Sequence, residues 1–115
     1  MKSDRDYLLD MLEYIGHLET FAAEGRTRLN TDIKTQLAVR KAYEVLGEIA
    51  KRLPDDLLNR QPHIPWKALK GLRDVLSHQY DGIDLNLVWD AVEDLPALRA
   101  AVEALIASLP DTDEQ

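Results

Sequence analysis

Apolar residues in this chain recur at spacings of three and four, and nowhere do they alternate at two. That period fits one stripe of an α-helix and not one face of a strand, so it restricts the chain to all-helical architectures. Leu8, Met11, Leu12, Ile15, Leu18 and Ala22 form the first stripe, with Ser3 or Asp4 as cap and Gly25 as stop, predicting a helix over residues 4–24. A second helix is expected over about 32–53, capped by Thr31 or Asn30 and ended by Pro54. Its core stripe reads Ala38, Ala42, Val45, Leu46, Ile49 and Leu53. A separate line, Leu37, Arg40, Glu44, Gly47 and Lys51, mixes leucine, glycine and both charges, and suits either a site or a solvated face.

Residues 54–58 suggest one short helical turn. Pro65 then sits in the favoured first-turn position of a third helix running to Ser77 or His78, with Trp66, Leu69, Leu72 and Leu76 inward. Asp81-Gly82 reads as a turn, and Asp84 as the cap of a fourth helix with Val88, Val92, Leu95, Val102, Leu105 and Leu109 as its stripe. Pro96 interrupts that pattern, so a kink or restart is expected near Asp94-Leu95. The expected fold class is all-α, an antiparallel four-helix bundle plus one short helix. The expected organisation is a single helical domain over 1–110 and a frayed acidic tail over 111–115.

Several chemistries are excluded. The absence of cysteine removes disulfides, thiolate catalysis and cysteine-ligated metal sites. No Glu-x-x-His pair of the di-iron bundles occurs, and the five glycines are scattered rather than gathered into a phosphate loop. Glu13 with His17 reads best as a surface pair, and His63 as an exposed turn residue. No apolar run approaches the ~20 residues of a membrane span. The opening residues lack a signal-peptide core, and a cytoplasmic location is expected. A net charge of −7 opposes non-specific nucleic-acid binding, and no DNA partner is expected, since a reading helix would be basic and residues 84 onward are acidic. Yet residues 26–73 hold 11 Lys/Arg against 5 Asp/Glu, a local balance of +6 inside an acidic chain.

The densest chemistry lies in Arg73–Tyr80, Arg-Asp-Val-Leu-Ser-His-Gln-Tyr. An imidazole can move a proton near neutrality, and a guanidinium can fork onto phosphate oxygens. Those two functions suffice for RNA cleavage without a metal or any other cofactor. The bland alternative is a helix C-terminus carrying a histidine that suits the dipole. On an ideal helix Arg73 and His78 lie roughly 140° apart around the axis, so one copy converges poorly on a small target. Asp74 could orient His78 or hold Arg73.

Arg73, four residues, then His78-Gln79-Tyr80 resembles the Arg-x4-His-x-Tyr signature of HEPN-domain proteins, in their HepT toxin branch. The segments 4–10, 46–53, 64–76 and 84–98 resemble the same family, so the likeness spans nearly the whole chain. It implies a HEPN-like fold and a homodimeric, metal-independent ribonuclease toxin acting on RNA at a dimer cleft, with Arg73 and His78 as catalytic pair. It also implies a minimal nucleotidyltransferase antitoxin of the MntA type that transfers AMP to the motif tyrosine, here Tyr80. Added charge and bulk beside Arg73 and His78 would repel RNA phosphates. The alternative left open is a non-catalytic helical module that docks such a nucleotidyltransferase.

Overall fold

The computed structural model describes residues 1–78 and 84–110, the side chains of Ser77 and His78 excepted. Tyr80, the Asp81-Gly82 turn and the 111–115 tail lie outside the described residues. Seven helices and no strands occur among those described: α1 (Asp4–Ala22), α2 (Arg26–Thr31), α3 (Ile33–Arg52), α4 (Asp55–Leu58), α5 (Trp66–His78), α6 (Leu85–Glu93) and α7 (Leu95–Ala107). The fold is all-α, as the periodicity requires. The long elements are α1, α3, α5 and the α6–α7 pair; α1 packs on α3 and α7, and α5 packs chiefly on α3.

Side chains close the helix starts where the sequence places polar caps. Ser3 Oγ accepts from the Asp6 amide at 3.1 Å and Asp6 Oδ2 accepts from the Ser3 amide at 3.2 Å, a reciprocal capping box. Asp84 Oδ1 accepts from the Asn86 and Leu87 amides at 3.0 and 3.2 Å. For α3 the cap is Asp32, one residue beyond the expected Thr31; its Oδ2 takes both the amide and the hydroxyl of Thr35. That bond explains how Thr35 can be buried inside an apolar core.

Two details differ from the sequence-based expectations and one agrees with them. Residues 26–31, left between the first two expected helices, form α2, because buried Leu29 ties the segment to the core. One apolar residue in six leaves no period to detect. The last stripe splits into α6 and α7 at Asp94, as anticipated: Pro96 lacks an amide hydrogen and sits in the first turn of a new helix, where none is needed. On α3 the expected Ala42, Leu46, Ile49 and Leu53 are buried, but the buried face extends beyond that stripe to one side. Val39, Tyr43, Gly47 and Ala50 are buried, while Ala38 and Val45 are only partly covered. The cause is α5, which covers the side of α3 that carries Gly47.

Candidate active site

The Arg73 side chain is fixed from its backbone outward. A methyl carbon built on Gly47 would stand 2.5 Å from Arg73 Cβ and 2.8 Å from the Leu69 carbonyl oxygen. No other residue lets α5 come so near α3, since carbon atoms rest ~3.5–4.0 Å apart. Leu69 and Leu76, both buried on α5, clamp the helix from either side of this contact. Gly47 belongs to the mixed line on α3 that the sequence left undecided. The structure resolves that choice: this line borders the motif.

Charges along the seam then hold the guanidinium. Arg73 Nη1 donates to Asp74 Oδ1 at 3.0 Å, and Arg73 Nε lies 3.4 Å from Glu48 Oε2. Lys51 Nζ donates to the same Asp74 oxygen at 2.9 Å, and Glu48 Oε1 accepts from Arg52 at 3.2 Å. One turn further along α3, Arg40 and Glu44 pair at 3.6 Å while more than three-quarters covered. The bond from Lys51 and then that from Arg73 hold the Asp74 carboxyl below its usual range. Asp74, with Glu48 and Glu44 behind it, raises the already high affinity of Arg73 for its proton. Arg73 is a permanent cation with 38% of its side chain open to solvent, enough for a phosphate oxygen to approach.

His78 is the last residue of α5, so the helix is regular from Arg73 through it. At ~1.5 Å rise and ~100° per residue, their backbones are about 7.5 Å apart along the axis and roughly 140° apart around it. The two do not share a helical face. Asp74 is hydrogen-bonded to Arg73, one of the two arrangements open to it. Glu48 and Lys51, by contrast, were not marked as site residues by sequence; their signal was proximity to Gly47 and the i,i+4 pairing of Glu48 with Arg52. His17 is exposed and stands edge-on to the Tyr14 ring at 5.5 Å, and His63 is exposed in its turn; neither joins the motif.

An all-helical bundle carrying an arginine five residues before a helix-terminal histidine is the arrangement expected of a small helical nuclease. The description of the HepT-like ribonuclease family matches residues 11–105, and the chain belongs to that family. Among relatives, a probable ribonuclease HepT of Thermococcus cleftensis is 40% identical over 106 residues, covering 90% of this chain and 96% of the other. A putative RNase of Methanocaldococcus jannaschii is 36% identical over 115 residues, covering 98% and 95%. A second protein of that organism, named gamma-glutamylcyclotransferase and putative RNase, is 33% identical over 113 residues that make up 50% of its length. No solved structure matches.

Proposed function

We propose that the chain is a metal-independent endoribonuclease, the toxin of a toxin–antitoxin pair, acting as a homodimer. His78 transfers a proton, taking it from the 2′-hydroxyl or giving it to the 5′-oxygen that leaves. The 2′-oxygen bonds to phosphorus as the bond to the 5′-oxygen breaks, leaving a cyclic phosphate and a 5′-hydroxyl. Arg73 binds the phosphate and offsets the charge that gathers on it in the transition state. Asp74 supports the reaction by holding the guanidinium in place. Tyr80 is the control point: its oxygen attacks the α-phosphorus of ATP on a minimal nucleotidyltransferase antitoxin, pyrophosphate leaves, and the tyrosine proton passes to solvent.

The observation that carries this reading is the Arg73 anchorage over Gly47, one helical stretch before His78, in a chain of a ribonuclease family. A solvated surface arginine does not need a glycine beneath it. The 140° divergence of Arg73 and His78 on one helix supports the homodimer, because two copies can supply an arginine and a histidine to one cleft. The test is cleavage of a mixed RNA pool by purified protein in excess chelator, beside Arg73→Ala and His78→Ala of confirmed helicity. Wild-type cleavage with loss in both variants is expected; equal activity in all three refutes the catalytic assignment. For the control step, intact-mass analysis after co-expression with a minimal nucleotidyltransferase and ATP should show one added AMP, lost in Tyr80→Phe.

A further inference from the structure

The catalytic reading leaves one face of α5 without a task. Val75 lies about 160° around the helix from Arg73. With Ala68 and Gly71 it turns toward α6 and α7, which α5 scarcely touches. A cavity of about 540 Å³ fills the gap, bounded on the far side by Leu87, Asp90 and Asp94. That volume is typical of small-ligand sites, which run ~300–1,000 Å³. Its walls are mostly hydrocarbon, and Val75 and Leu87 stand 45% and 46% exposed at its mouth.

One polar group of this cavity is buried and unsatisfied, while Asp90 and Asp94 are exposed to solvent. Tyr43, from α3, is 1% exposed, and its hydroxyl has no hydrogen-bond partner. Leaving a buried hydroxyl unpaired is costly, and folded chains seldom do so without a ligand or water at hand. Asp94 lies close enough for its charge to act on that phenol, which burial above all keeps protonated. Asp90 stands one turn earlier on the same edge of α6, and neither carboxylate is paired with a cation among the described residues.

We propose that this cavity is a binding site for an organic amine, its apolar body lying between α5 and α6 and its cationic N–H group donating to the Tyr43 hydroxyl and the Asp94 carboxylate. Two unpaired carboxylates select against an organic acid, and an uncharged alcohol satisfies Tyr43 but not Asp94. The site faces away from Arg73, so occupancy and RNA cleavage are independent of each other.

The test is calorimetric titration of the full chain with octylamine, octanol and octanoate. Octylamine should bind at least ~10-fold more tightly than octanol, and octanoate should not bind. Tyr43→Phe should weaken octylamine by roughly 10-fold, the cost of one lost hydrogen bond. Asp94→Asn should erase the preference of amine over alcohol. A methyl on Gly71 meets no atom within 4 Å, so Gly71→Leu projects a side chain into the gap without disturbing α5, and it should abolish binding. Octanol binding as tightly as octylamine, or Gly71→Leu leaving the isotherm unchanged, overturns the proposal. So does a dimer, seen by light scattering, that Leu87→Glu splits, because the cavity is then covered by a second copy.

Discussion

Replacing Gly47 by alanine tests whether the α3–α5 approach is what sets Arg73. In a helix interior with free space, Gly→Ala stabilises by ~0.5–1 kcal/mol because the unfolded chain loses fewer states. At Gly47 the new carbon lands 2.5 Å from Arg73 Cβ and 2.8 Å from a backbone oxygen, neither of which is the loose end of a side chain. Relief requires α5 to withdraw by on the order of 1 Å from its contact with α3. Overpacking of this kind costs ~1–3 kcal/mol, which exceeds the propensity gain. The net expectation is a loss of about 1–2 kcal/mol in urea unfolding and a fall in Tm on the order of 5 °C. RNA cleavage should fall further than the folded fraction does, because the withdrawal displaces Arg73 from Glu48. Gly71→Ala is the internal control: with nothing within 4 Å of its Cβ, it should gain the ordinary ~0.5–1 kcal/mol. A Gly47→Ala protein as stable as Gly71→Ala, with unchanged cleavage, refutes the reasoning.

Asp74→Asn should leave stability within ~0.5 kcal/mol, since the pair is exposed, yet lower RNA cleavage by loosening Arg73; unaltered kinetics would remove Asp74 from the site. Glu19 grips Arg99 with two bonds of 2.9 and 2.7 Å, which hold its carboxyl below the usual range. A depressed carboxyl stabilises above its unfolded-state pKa and loses that contribution as pH falls through its folded value. Glu19→Gln should therefore cost about 0.5–1 kcal/mol at neutral pH and nothing in strong acid, as read from urea midpoints across pH. Tyr43→Phe removes an unpartnered buried hydroxyl and should raise the thermal midpoint of the unliganded protein, where a drop would reveal a missed hydrogen bond. Asp84→Ala deletes two cap bonds at the start of α6 and should cost about 1 kcal/mol in chemical denaturation.

The helices were readable from sequence wherever a cap, a stripe and a terminator agreed. Ser3 with Leu8 to Leu18, and Asp84 with Val88 and Val92, are such cases, and the Pro96 break followed from the missing amide. Short α2 was not readable, because Leu29 is buried by contacts distant in sequence rather than by any period of its own. The wider buried face of α3 was missed for a related reason. Ala38 and Val45 look as apolar as Gly47 and Ala50, and only the position of α5 decides which are covered. The candidate site divided likewise: Arg73, Asp74 and His78 were legible as types at a spacing, whereas the groups that engage them were not, since Glu48 reaches Arg73 and Lys51 reaches Asp74 from another helix.

That cross-helix setting alters what the motif arginine does before RNA arrives. Arg73 is shared between Asp74 and Glu48, Asp74 with Lys51 and Glu48 with Arg52, so the seam sets three cations around two carboxylates. On the proposed reading, an arriving phosphate does not meet a bare cation; it competes with carboxylates for N–H groups already engaged. The line through Glu44, Gly47 and Lys51 was ambiguous as sequence because it serves both purposes: glycine brings Arg73 in, and the charges beside it keep Arg73 in place.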